Sequence, residues 1–227
     1  MATHLDLEEQ EQLDQLKQFW NQYGNLITWV VIIALALFAA WNGWNMWQRD
    51  QAVKAGAMYD EVDKTVQGGD VARATALFTT LKDRYPHTAF AEQAALLLSK
   101  LQFDKGHADD ARATLTWVAD NAAEDEYRTV ARLRLAGVLM DQKKYDDALK
   151  QLDGANSKEF EALVADRRGD ILLVQGKPND AKAAYQKAWN TMDSKVEYRR
   201  LLEAKLTALG AAPAPAPDKA ASAGGAR

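Results

Sequence analysis

Four stretches of this chain repeat one pattern, and a repeated pattern confines the fold to units that must stack on each other. The stretches QGGDVARATALF (67–78), DKGHADDARATL (104–115), DQKKYDDALKQL (141–152) and VQGKPNDAKAAY (174–185) align without gaps. Each carries a turn residue, Gly69, Gly106, Lys143 or Gly176, five positions before an alanine, Ala74, Ala111, Ala148 or Ala181. A larger side chain follows four positions later: Phe78, Leu115, Leu152 or Tyr185. The copies lie 37, 37 and 33 residues apart, a period that two helices of about 13 residues and their turns fill.

The spacing predicts an array of helix–turn–helix units. A residue able to take the left-handed conformation ends the first helix. The alanine admits close approach of two helices, and the larger side chain one turn on fills the space beside it. The first helices are predicted at 52–67, 90–104, 128–141 and 160–175. The stretch 195–209, with Val196, Leu201, Leu202, Leu206 and Leu209, reads as an amphipathic capping helix. Alternating β-branched runs do not occur, so the fold class is all-α.

Ahead of the repeats stands one apolar run. From Leu26 to Trp41 only Thr28 interrupts it, and no charge falls between Lys17 and Arg49. Carried to Trp47 it has 22 residues, about 33 Å as helix and close to the hydrocarbon thickness of a bilayer. Trp20, Tyr23 and Trp29 flank one end and Trp41, Trp44 and Trp47 the other, as amphipathic rings do at headgroup level. A cleavable signal peptide would start basic, whereas this start carries Asp6, Glu8, Glu9, Glu11 and Asp14 against Lys17. The expected organisation is an acidic arm (1–24), a single transmembrane helix (25–48), a repeat domain (49–210) and a Pro/Ala-rich disordered tail (211–227). Lys17 before the span and Arg49 and Lys54 after it lean weakly toward a cytoplasmic repeat domain, and long domains cross membranes regardless of such a bias.

Charge narrows the partners. The repeat domain holds 25 basic and 26 acidic residues, a balance unsuited to nucleic acid, which needs a clustered positive surface. Cysteine is absent, which removes disulfides, thiolate metal sites and cysteine nucleophiles.

The pattern resembles the tetratricopeptide repeat. Pro86 stands where that motif's closing proline belongs, and the fourth copy adds Gly169 before Leu172 and Ala188 after Tyr185. Val71 and Ala108 replace the usual aromatic beside the first two turns. Three segments, EEQEQLDQLKQFWNQYGN (8–25), VARLRLAGVLMDQKKYDDALKQLD (130–153) and RRGDILLVQGKPNDAKAAYQKAW (167–189), are similar to the YfgM-type family of ancillary subunits of the bacterial SecYEG translocon. That resemblance implies a single-pass inner-membrane protein with a cytoplasmic N-terminus and a periplasmic repeat domain. It also implies association with the SecYEG translocon and with a periplasmic chaperone of the PpiD type, in transfer of newly exported client proteins. The alternative organisation is a cytoplasm-facing tetratricopeptide scaffold or regulatory adaptor.

An enzyme is not expected. His4, His87 and His107 are isolated and lack metal-ligand spacing. Gly176-Lys177 lacks the frame of a phosphate loop, and Ser99, Ser157, Ser194 and Ser222 sit in no nucleophile-like context. The carboxylates are expected on helix surfaces beside lysine and arginine, as solvated ion pairs. No catalytic, cofactor-binding or metal-ligating residue is assigned, and no cofactor is expected. Binding is the expected activity, on the concave face lined by the first helices. Tyr59, Asp63, Lys100, Phe103, Arg134, Met140, Arg167 and Asp170 share that face, a mixture suited to a peptide or protein groove. The lysine–asparagine constellation of repeats that clamp an acidic C-terminus is missing. On the arm, Leu13, Leu16 and Trp20 fall on one helical face, available to a partner's cytoplasmic loops.

Overall fold

The computed structural model describes residues 7–212. The first six residues, and the expected disordered tail from 213 onward, lie outside the described residues. The described residues divide into two compact units, one ending at Val53 and the other starting at Lys54. Helix α1 (Leu7–Gln67) contributes to both.

In the first unit, the stretch from Leu26 to Trp47 is helical throughout. Leu26, Trp29, Val30, Leu35, Leu37, Phe38 and Trp41 all lie exposed. Exposing that many large apolar side chains to water would be costly, whereas a hydrocarbon phase accepts them. Among the described residues one helix is long and apolar enough to cross a membrane, with a mean hydropathy of 2.0 over its most apolar stretch. Leu13, Leu16 and Trp20 of the arm are exposed as well. The Trp20 ring packs on Gly24, where an added Cβ would stand 3.2 Å from it.

The second unit is a stack of helix pairs with no strand among the described residues. The C-terminal part of α1 is followed by α2 (Val71–Arg84), α3 (Ala89–Asp104), α4 (Ala108–Asn121), α5 (Asp125–Asp141) and α6 (Tyr145–Asp153). A 3-10 turn (Lys158–Phe160) leads into α7 (Glu161–Val174), α8 (Pro178–Thr191) and α9 (Arg199–Ala208). The first helices thus occur near the expected positions. The last differs: residues 195–198 form turns and only Arg199–Ala208 is α-helical. Asp193 accepts from the Lys195 amide, a local bond that competes with helix at this point. Residue 160 belongs to the 3-10 turn, and α7 starts at Glu161.

The repeat signature maps directly onto these turns. Gly69, Gly106, Lys143 and Gly176 all have positive φ, 75°, 83°, 59° and 76°. At each, the next residue's amide bonds a carbonyl five residues back: Asp70 to Thr65, His107 to Gln102, Lys144 to Leu139 and Lys177 to Leu172. This is the double hydrogen-bonded helix stop that a left-handed residue permits. Lys143 accepts the conformation at a steric cost that its glycine counterparts avoid. The following helices start on local signals: Asp70 accepts from the Arg73 amide at 3.0 Å, and Pro178 occupies the first turn of α8, where its missing N–H is no loss.

Ala74, Ala111, Ala148 and Ala181 are fully buried, and Phe78, Leu115, Leu152 and Tyr185 are buried beside them. Phe78 meets Trp117 edge to face, ring centroids 5.6 Å apart, tying α2 to α4. One apolar cluster runs from Ala55 in α1 to Ile171 in α7. A second, with Ala162, Ala181, Tyr185, Leu202 and Leu206, holds α7, α8 and α9 together.

Two carboxylates depart from the expected solvated surface. Glu92 is buried, and its Oε1 accepts from the Ala123 amide at 3.0 Å. Burial pushes its pKa above the ordinary carboxylate value, opposed by that amide bond. Asp166 is 3% exposed and sits in a network between α7 and α9. Lys205 Nζ donates to Asp166 Oδ1 and to Asp170 Oδ1, both at 2.7 Å. The Tyr198 hydroxyl donates to Asp166 Oδ2 at 2.7 Å and the Tyr185 hydroxyl to Asp170 Oδ1 at 2.8 Å. Burial, reinforced by those bonds, raises both tyrosine pKa values well above the ordinary one.

Candidate protein-binding site

Counting back from each turn residue orders the first helices. Arg134 and Arg167 stand nine residues before their turns, Asp63, Lys100 and Asp170 six, and Phe103 and Met140 three. Steps of three keep residues on one helix face, so seven of the eight expected residues are in register along the stack, and Tyr59, ten residues before its turn, is one position off it.

The structure brings four of the eight together. Lys100 and Phe103 of α3, Arg134 of α5 and Arg167 of α7 line a hollow of about 380 Å³ with Ser99, Leu115, Gly137, Val138 and Asp141. Phe103 remains 38% exposed. Lys100 pairs with Asp104. The Arg134 guanidinium donates to the Leu96 carbonyl at 2.8 Å, a neutral acceptor. Burial of that guanidinium lowers its pKa from the ordinary arginine value, from a height that leaves it charged at neutral pH. Arg167 lies across Gly137, where an added Cβ would stand 3.6 Å from Nη1. At this position α5 has glycine where α3 carries Lys100 and α7 carries Asp170, so no long side chain of α5 stands under the arginine.

The other four lie elsewhere. Tyr59 packs against Phe90, ring centroids 5.7 Å apart, and burial with Asp63 and Asp60 nearby raises its pKa. Asp63 accepts from Gln67 Nε2 at 2.8 Å. Met140 packs on the larger apolar cluster, and Asp170 is engaged by Tyr185 and Lys205. Register gave their spacing along the first helices. It did not tell which positions a neighbouring helix covers.

Ser99, Leu115, Gly137, Val138 and Asp141 complete the lining and were not among the expected residues. Gly137 had a readable signal, since it shares the six-back position with Lys100 and Asp170. Leu115 comes from a second helix, and nothing in the spacing of the first helices points to it. The hollow offers arginine cations beside an aromatic edge and a valine-leucine floor, groups that bind side chains of a polypeptide by charge and apolar contact.

Stacked helix pairs with left-handed stops, a buried alanine at each crossing and a shared first-helix face define a helical-repeat protein of the tetratricopeptide kind. The profile of the tetratricopeptide repeat-like domain matches residues 17–211. The chain is 32% identical to an ancillary SecYEG translocon subunit of Neisseria gonorrhoeae over 210 residues, covering 92% of this chain and 100% of that one. It is 29% identical to the protein of that name in Escherichia coli, over 78% of this chain and 85% of that one. With the Haemophilus influenzae protein of that name it shares 26% identity, over 80% and 89% of the two chains. The chain belongs to the YfgM-type tetratricopeptide repeat-like family.

Proposed function

We propose that the protein is a membrane-anchored, protein-binding adaptor at the SecYEG translocon. The observation that carries this reading is the match along the whole length of a relative named as a translocon subunit. Residues 25–48 cross the inner membrane, with the arm (1–24) cytoplasmic and the repeat domain (49–210) and tail (211–227) in the periplasm. There the repeats engage a chaperone of the PpiD type and assist transfer of newly exported proteins. The exposed apolar stretch of α1 supports the anchor, and the hollow between α3, α5 and α7 supports binding of polypeptide. The activity is binding rather than catalysis. Anchoring raises the effective concentration of the repeats beside the channel, so weak individual contacts suffice.

Charge reversal at the hollow tests this. Carrying Arg134→Glu and Arg167→Glu together, the full chain is expected to recover translocon and chaperone several-fold less on affinity purification from detergent extracts. Circular dichroism is expected to show a folded helical domain, since neither side chain belongs to the apolar clusters and loss of the Arg134–Leu96 hydrogen bond costs about 1 kcal/mol. Undiminished recovery of both partners by a folded variant contradicts the assignment of this face.

A further inference from the structure

We propose that the hollow between α3, α5 and α7 receives an internal acidic stretch of a partner polypeptide. One side-chain carboxylate is held between Arg134 and Arg167, and an adjacent apolar side chain lies on Phe103. This rests on the protein-binding reading above and adds the chemistry of the bound segment.

The charges around the hollow carry the argument. Of its three cations, Lys100 is neutralised by Asp104 one turn away on the same helix. Arg134 donates its hydrogen bond to a main-chain carbonyl, so its charge meets no carboxylate. Arg167 makes neither ion pair nor hydrogen bond among the described residues. Asp141 is the one carboxylate in the lining, an exposed group at the last position of α5. Two arginines on adjacent first helices therefore face one hollow with no carboxylate paired to either among the described residues, in a domain whose charges otherwise nearly balance. Like charges brought together repel, and an incoming carboxylate relieves that repulsion while accepting planar, charge-assisted hydrogen bonds. Phe103, with Val138 and Leu115 in the same lining, gives a neighbouring aromatic or aliphatic side chain an apolar surface. A Cβ at Gly137 would meet Arg167 Nη1 at 3.6 Å, an ordinary van der Waals contact, so a side chain extending well beyond alanine there would alter the arginine pair.

The test uses the full chain in detergent and two fluorescent octapeptides, Gly-Ser-Phe-Asp-Glu-Leu-Ser-Gly and the same peptide with Asn and Gln for Asp and Glu. Both are acetylated and amidated, so the acidic side chains alone differ. Fluorescence anisotropy is expected to show the acidic peptide binding about tenfold more tightly, with the difference shrinking as salt is raised. Arg134→Gln with Arg167→Gln is expected to equalise the two peptides. Equal binding by the wild type, no binding of either peptide, or a preference that survives the glutamine variant would overturn the inference. The two readings fail separately. Loss of peptide discrimination with the translocon still recovered removes the acidic-segment inference alone. Discrimination without recovery of translocon or chaperone removes the adaptor reading and leaves the groove chemistry standing.

Discussion

Replacing Lys205 with alanine is expected to lower the stability of the repeat domain by about 3–5 kcal/mol, the usual effect of removing one partner from a buried ion pair. Lys205 Nζ bonds both Asp166 and Asp170. The Asp166 side chain is 4% exposed and the lysine's is 20%, so solvent screens the pair little. Without the ammonium, two carboxylates one helical turn apart keep only their tyrosine donors. The full chain in detergent, followed by near-ultraviolet circular dichroism through thermal unfolding, reads the loss directly. Lys205→Met combined with Asp166→Asn and Asp170→Asn should restore much of it, because no charge is then left without a partner. A wild-type melt for Lys205→Ala would show that the network contributes nothing.

The same network gives the domain an alkaline limit. Burial first, and donation to Asp170 and Asp166 second, raise the Tyr185 and Tyr198 pKa values above the unfolded one, which is about 10. A raised folded pKa means that the native state holds its proton more tightly than the unfolded state. The stability this contributes is complete below about pH 10 and drains away as pH climbs toward the folded values. Tyr198→Phe should flatten that alkaline decline while costing a hydrogen bond at neutral pH.

Gly169→Ala is expected to cost about 3 kcal/mol or more, although alanine is the better helix former by about 1 kcal/mol. A Cβ at this position would stand 2.4 Å from Tyr185 Cε1 and 2.5 Å from Cδ1. The ring cannot withdraw, since it is buried in the second apolar cluster and its hydroxyl is tied to Asp170. Helices α7 and α8 must separate instead, and α9 rests on both. Tyr185→Ala alone should also cost about 3–5 kcal/mol through the cavity it leaves. The two changes made together should cost far less than their sum, since each removes what the other collides with or leaves empty. Strict additivity in thermal melts would contradict the close approach of these helices.

The repeat architecture was legible because its determinants are local. A left-handed residue, an alanine five positions on and a large side chain four further recur at fixed spacing, and even Lys143 takes the glycine conformation where the pattern requires it. The network at the C-terminal end was not legible. Asp166 and Lys205 are 39 residues apart, and a helix sequence rich in carboxylates and lysines does not tell which pair the next helix covers. Tyr185 was readable as a packing residue, whereas its hydroxyl bond to Asp170 depends on how α9 closes the stack. The face carrying Arg134, Arg167, Lys100 and Phe103 followed from register. That Met140 turns to the core and Tyr59 to Phe90 follows only from tertiary packing.

Membrane topology tests the adaptor account most directly. The chain lacks cysteine, so one introduced thiol reports one location. Ser157 is unsuited to this, being 6% exposed with its amide bonded to Thr129. Ser194, exposed in the turn between α8 and α9, is the position to convert. Ser194→Cys cells with a permeabilised outer membrane and an intact inner membrane are treated with a membrane-impermeant maleimide. Labelling before lysis is the expected result and puts the repeats in the periplasm beside the exported chains. Protection that ends only on lysis would put them in the cytoplasm and contradict the account.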